Sequence, residues 1–199
     1  MRAFMIALLL ALAASLSVNT NANAEVVEVA GVKYDTVNDV GGQKLQLNGA
    51  GIRYKAIFKV YTAGLYTTTK QNTPEAVLSS TTAKRLHIVA LRDLSGNDLG
   101  KLFTKGIEEN STREEFAKSI NGVLKISELF AAKKELMKGE DFAVDWIPGT
   151  GAVVTVNGKV QGSPIPEPEF YASLLRIWLG KAPADYQLKD ALLGLKPNR

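Results

Sequence analysis

Apolar residues recur along this 199-residue chain at three spacings, and each spacing predicts a different kind of element. The longest apolar run, Ala3 to Leu16, follows Arg2 and leads into a polar stretch ending in Ala22-Asn23-Ala24. A basic end, a short apolar run and a small-residue exit together predict a secretory signal peptide over residues 1–24, cleaved after Ala24. The competing reading, an uncleaved anchor, needs about 20 apolar residues to cross a bilayer, more than this run supplies.

Alternation with a period of two follows. Val26 to Tyr34, broken at Ala30-Gly31, predicts a tight hairpin, and Gly41-Gly42 and Gly49-Ala50-Gly51 read as turns or bulges. From Ile52 to Tyr66 the even row (Ile52, Tyr54, Ala56, Phe58, Val60, Thr62, Tyr66) is mainly apolar, while the odd row carries Arg53, Lys55, Lys59 and Tyr61. This predicts one long strand, bent or interrupted somewhere along its length. Lys84 to Arg92, Phe142 to Ile147 and Ala152 to Val156 predict further strands. The last two are joined through Pro148-Gly149-Thr150-Gly151, and Asn157-Gly158 after them is a strong hairpin signal.

Helical spacing fills the rest. Thr73-Pro74-Glu75 supplies a cap and a first-turn proline for a short helix to about Ser80. Ser95 with Asp98 opens a helix to about Glu109, and Thr112 with Glu115 forms a capping box for a longer one ending near Gly139. Phe116, Ile120, Val123, Leu124 and Phe130 are its predicted buried stripe. Beyond Ser163-Pro164-Ile165-Pro166, the pairs Phe170/Tyr171, Leu174/Leu175 and Trp178/Leu179 make a wide apolar stripe, and a last helix carries Leu188, Leu192 and Leu193. Strands, then helices, then a meander and helices fill a single domain over residues 25–199. A chain of that size buries about 70% of its unfolded surface.

Composition narrows the chemistry. With no cysteine, the chain has no disulfide, thiol nucleophile or metal–thiolate site, so its core alone must hold the fold. The formal charge of +4 falls to +3 once Arg2 leaves with the leader, and the charges are mixed rather than blocked, which does not point to nucleic acid. His87 is the single histidine, set in an alternating strand with no serine marked as its partner, and a structural or surface role is expected for it. No glycine-rich phosphate loop is present, so neither a metal nor a cofactor has a visible seat. Asp141 and Asp145 lie two steps either side of Ala143 and so share one strand face, expected to be solvated. The row Arg53, Lys55, Lys59, Tyr61 is either a solvated face or an anion site.

Three segments together resemble the chalcone isomerase family, specifically its exported bacterial chalcone isomerase-like branch. They are Gly49-Ala50-Gly51-Ile52-Arg53 with Phe58 to Tyr66; Asp93-Leu94-Ser95-Gly96; and Glu169 to Gly180 with Asp190-Ala191-Leu192-Leu193-Gly194. The resemblance implies an α+β fold, an open-faced sandwich in which a long antiparallel sheet is backed by a layer of helices with a ligand cleft between them, and the order of elements read above agrees with it. In the family's plant enzymes an arginine, two threonines, a tyrosine and an asparagine guide the closure of a phenolate onto an enone. Only the arginine carries over cleanly, onto Arg53. Tyr61 falls at the first threonine position, with Thr62 taking it if the gap moves by one, while Leu99, Gly106 and Ile177 occupy the tyrosine, asparagine and second threonine positions. None of these three offers a side-chain hydrogen bond.

Members of the family that bind fatty acids pair an arginine with a tyrosine at the carboxylate. Arg53 with Tyr61 resembles that pair, and Leu99 and Ile177 then become tail contacts. The resemblance therefore implies a non-catalytic, cofactor-free periplasmic binding protein for a fatty acid or similar amphipathic carboxylate, held by Arg53, Tyr61, Thr62, Leu99 and Ile177. Two other expectations stand beside it: an enone or flavonoid isomerase acting through Arg53, and an envelope protein with a closed cleft and a partner-binding role. A cavity running from Arg53 toward Leu99 and Ile177 separates the first two from the third.

Overall fold

The computed structural model describes residues 25–196, so the predicted leader lies outside the described residues. Eleven strands and five helices run in the order β1 (Val26–Val29), β2 (Val32–Asp35), β3 (Val37–Val40), β4 (Gln43–Lys55), β5 (Phe58–Thr67), α1 (Pro74–Ser79), β6 (Lys84–Ala90), β7 (Leu94–Ser95), α2 (Gly96–Glu109), α3 (Arg113–Lys133), β8 (Glu135–Leu136), β9 (Asp141–Ile147), β10 (Gly151–Val156), β11 (Lys159–Val160), α4 (Pro168–Leu179) and α5 (Tyr186–Leu192). Seven strands form one antiparallel sheet in the order β11-β10-β9-β6-β5-β4-β3. Among the described residues no helix is long and apolar enough to cross a membrane.

The single strand expected over Ile52–Tyr66 is instead two, β4 and β5, folded back at Ala56-Ile57 with Lys55 opposite Phe58. Ala56 takes a φ of 53°, a conformation that glycine or asparagine adopts more readily, so no turn residue advertises the reversal. Two bulges then control which side chains share a face. Asn48 is the extra residue on β4 and Val60 the extra residue on β5, and between them Arg53 stands directly across from Tyr61. The buried Asn48 side chain holds its bulge: Nδ2 donates to the carbonyls of Gln71 (2.8 Å) and Leu192 (2.7 Å), while Oδ1 accepts from the Gln71 N–H (2.6 Å). Gly49-Ala50-Gly51, expected as a turn or bulge, lies inside β4 beside this one. A Cβ on Gly49 would sit 2.0 Å from the Ala191 carbonyl oxygen, so the missing side chains let α5 lie on the strand.

One sheet face carries Ala63, Leu65, Leu86, Ile88, Phe142, Val144 and Val154, and packs against the helices to form the main core. The hairpin β1–β2 lies on the other face, where Tyr34 joins Val40, Leu45, Leu47 and Tyr66 in a smaller core. Phe103 of α2, Phe130 of α3, Phe142 of β9 and Trp178 of α4 meet with ring centroids 5.0–6.0 Å apart and tie the helical layer to the sheet.

The expected caps form: Thr73, Ser95 and Thr112 each accept a backbone N–H of their helix's first turn, and Thr112 with Glu115 makes the reciprocal box. Two expectations in this region need correction. The long helix ends at Lys133 rather than near Gly139, because Glu135 and Leu136 pair with β7. Its buried stripe is rotated, with Ser119, Gly122, Val123, Ile126 and Phe130 inside and Ile120 and Leu124 exposed. The cause is a close crossing with α4, where Phe170 lies over Gly122 and the Ser119 hydroxyl donates to Ser173 Oγ at 3.0 Å.

Candidate functional site

Where the β4–β5 hairpin leaves the sheet, α2, the C-terminal end of α4 and residues 182–184 stand away from it and leave a cavity of about 550 Å³. Its walls divide by chemistry. Val60, Leu94, Leu99, Leu102, Phe103, Ile177 and Trp178 supply apolar surface, while Arg53, Lys55, Arg92 and Lys105 place four cations around it. Asp93, Asp98 and Glu109 are the carboxylates on the same walls. Asp93 accepts the Lys138 N–H at 2.7 Å, and Glu109 pairs with Lys105 at 3.6 Å.

Arg53 is partly buried and has no carboxylate within 4.0 Å among the described residues. One Nη donates to the adjacent Tyr54 carbonyl, which orients the guanidinium beside the Tyr61 hydroxyl, and no carboxylate neutralises it. Asp185, the acid nearest this strand by hydrogen bonding, is already engaged. Its Oδ2 takes the Tyr54 N–H at 2.9 Å, and its Oδ1 caps α5 through Gln187 and Leu188.

Tyr61 lies across from Arg53, and its hydroxyl accepts the indole N–H of Trp178 at 2.8 Å. An indole can only donate, so the phenol oxygen is held as acceptor there and keeps its own hydrogen for another group. Burial pushes the Tyr61 pKa up to about 12, against the lowering effects of the Trp178 hydrogen bond and the Arg53 charge. The side chain is therefore a neutral donor at physiological pH and not a base. Arg53 and Tyr61 can together give an anion a charge-assisted fork and a phenol hydrogen bond on one side of an apolar hollow.

Four of the five sequence-predicted ligand residues, Arg53, Tyr61, Leu99 and Ile177, line this one cavity. Thr62 does not, and its assignment is corrected. Its side chain projects to the opposite sheet face, where Oγ1 accepts the Tyr34 hydroxyl hydrogen at 2.7 Å and no solvent reaches it. Of the odd row, Arg53, Lys55 and Tyr61 share the cavity face, whereas the Val60 bulge turns Lys59 away. Gly106 also lines the cavity, close against Ile177. Sequence reasoning missed Trp178 as the partner of Tyr61. Its apolar spacing marked it as core, and only its indole N–H, which needs an acceptor when buried, hinted at more.

The two aspartates expected on a solvated face are also reassigned. Asp145 is buried and receives Arg85 through two hydrogen bonds of 2.7 Å, and Asp141 accepts from His87 Nε2 at 3.1 Å. Both lie on the sheet face that carries Tyr34, whose ring meets the His87 ring edge-on at 5.7 Å.

A curved-over antiparallel sheet with helices on one face, and a cleft headed by an arginine between them, define an α+β open-faced sandwich of the chalcone isomerase type. The sequence profile described as chalcone isomerase-like matches residues 26–194, and the chain belongs to that family. Among solved structures, the crystal structure of the Arabidopsis thaliana fatty-acid binding protein AtFAP1 is similar at a TM-score of 0.66 and 14% identity, covering 85% of this chain and 96% of that one. A comparison with curated protein sequences found no match.

Proposed function

We propose that the protein binds a fatty acid or a similar amphipathic carboxylate without transforming it, and that it does so in the periplasm after removal of residues 1–24. The observation that carries this reading is the joining of Arg53, without a carboxylate counterion among the described residues, and a donor-oriented Tyr61 to an apolar cavity of about 550 Å³. That volume falls within the ~300–1,000 Å³ of ordinary small-molecule sites. The carboxylate would lie between the Arg53 guanidinium and the Tyr61 hydroxyl, and the chain along Leu99, Phe103 and Ile177. Each methylene moved out of water there contributes about 0.8 kcal/mol. The similarity to a fatty-acid binding protein of the same fold supports the ligand class. The absence of a hydrogen-bonding side chain at Leu99, Gly106 and Ile177 supports binding without chemistry.

Protein produced from the full-length sequence should be recovered beginning at Glu25, and native mass spectrometry under mild conditions should show it carrying an acyl carboxylate. Calorimetry should then show laurate or palmitate displacing or filling the site. Protein that is empty as isolated and gives no heat with either acid would sink the reading. An enone isomerase would instead consume chalcone faster than the spontaneous rate and lose that activity in Arg53→Ala.

A further inference from the structure

The tip of the β4–β5 hairpin carries residues that folding does not explain. Turn positions ordinarily hold small or polar residues that tolerate the backbone geometry and face water. Here the two-residue turn is Ala56-Ile57, followed by Phe58, and Ile57 is 85% and Phe58 57% exposed. Ala56 has the positive φ that glycine or asparagine would adopt at less cost, so turn stability did not select this sequence. Neither Ile57 nor Phe58 belongs to either core.

The surroundings of this tip are cationic. Lys55 and Lys59 flank it, and the Arg92 guanidinium lies 5.6 Å from the centre of the Phe58 ring. Among the described residues none of these three has a carboxylate within 4.0 Å. The acids nearest the cavity rim are Asp93 and Glu109, both engaged as described, and Asp98 in the first turn of α2. Arg92 and Lys55 also line the cavity, and so does Leu102, which is 59% exposed on α2. The tip and the cavity mouth therefore belong to one surface.

We propose that this tip docks on an anionic lipid surface, with Ile57 and Phe58 entering the interface and Lys55, Lys59 and Arg92 meeting the head groups. Bulky apolar side chains at the apex, ringed by cations on long stems, match the layering of an interface in which apolar groups enter and basic groups stay at the phosphate level. A narrow convex turn suits insertion between lipids better than it suits a protein partner, whose stable interfaces bury about 800 Å² on each side. Docking this way sets the mouth of the cavity against the bilayer, so an amphipathic carboxylate can pass between membrane and cavity without crossing open water. The purpose of docking rests on the function proposed above, whereas the docking itself does not.

The test uses protein made from the full-length sequence, with vesicles of phosphatidylglycerol and phosphatidylcholine and vesicles of phosphatidylcholine alone. The wild-type protein should float with the phosphatidylglycerol vesicles, less so with phosphatidylcholine alone, and should be released by salt as a Debye length near 10 Å at 0.1 M dictates. The double variant Ile57→Glu, Phe58→Ser should lose about tenfold or more of this partitioning and slow transfer of a fluorescent fatty acid from the vesicles. Its melting temperature and its laurate affinity in vesicle-free solution should be unchanged. A Lys59→Glu variant should weaken flotation alone. Wild-type protein that does not float, or a double variant that floats as well as wild type, would overturn docking even with laurate binding intact. Flotation that persists in a protein without laurate affinity would uphold docking and remove the proposed ligand instead.

Discussion

Two arginines of one sheet, on strands that flank β5 on either side, have opposite fates. Arg85 of β6 has its counterion built in: Nε and Nη2 donate to the two oxygens of Asp145 at 2.7 Å, and Nη1 donates to Asn38 Oδ1 at 2.6 Å. The carboxylate beside it raises its pKa further, against the cost of burial. Arg53 of β4, also partly buried, meets the Tyr54 carbonyl and the Tyr61 hydroxyl but no carboxylate among the described residues, and it faces an apolar cavity. A desolvated charge is held by the protein where its counterion is built in, and left to a ligand where it is not. The first arrangement is structure and the second is readiness.

This contrast can be broken at either arginine. The largest effect is expected from Arg85→Ala, which strands the buried Asp145 carboxylate and should cost about 3 kcal/mol in denaturant unfolding, while the laurate affinity of the folded fraction is kept. Arg53→Ala should do the reverse, weakening laurate about 10- to 100-fold as the loss of a charge-assisted hydrogen bond predicts. Stability should stay within about 0.5 kcal/mol. A smaller pair of changes sharpens the assignment of neighbouring side chains to opposite faces. Thr62→Val removes the acceptor of the buried Tyr34 hydroxyl and should lower stability by about 1 kcal/mol with no effect on binding. Tyr61→Phe should weaken laurate several-fold and, because it leaves the buried Trp178 indole N–H without its acceptor, also lower stability by about 1 kcal/mol.

An effect confined to alkaline pH concerns Lys84, a buried lysine whose ammonium donates to the Ser80 carbonyl and lies 5.9 Å from the centre of the Tyr171 ring. Burial lowers its pKa from 10.5 to about 8. Between those values the unfolded chain holds a proton that the folded chain has released, so unfolding free energy should rise with pH across that window. Above about 10 the sign reverses, because burial holds Tyr61 and Tyr66 up at about 12 and only the unfolded tyrosines ionise. Lys84→Met should flatten the rise in pH-dependent unfolding and leave the fall in place.

Local signals in the sequence were enough wherever one residue type solves a local problem. The capping box of Thr112 and Glu115 and the Asn157-Gly158 turn form as their chemistry requires, with Asn157 and Gly158 both at positive φ. Signals failed where a distant contact decides. The reversal at Ala56-Ile57 carries no turn residue, and the buried side of α3 was set by Gly122 under Phe170 rather than by its own apolar spacing. Asp145 looked solvated because Arg85, its counterion, comes from a strand 60 positions earlier. The candidate site was legible mainly through the family resemblance. The two bulges that put Arg53 opposite Tyr61 shift the register by one residue and back again, which no alternation pattern can reveal. Trp178, the group that fixes Tyr61 as a donor, looked like core because most of its surface is core.

The central claim is that Arg53 is held without a counterion so that a ligand carboxylate can supply it. A crystal structure of the protein with laurate or palmitate tests this most directly. The account predicts the carboxylate oxygens at about 2.7–2.9 Å from the Arg53 guanidinium, with the Tyr61 hydroxyl donating to the same head group and the chain running past Leu99 and Ile177. A carboxylate bound elsewhere, or a cavity that stays empty in crystals grown with either acid, would contradict it.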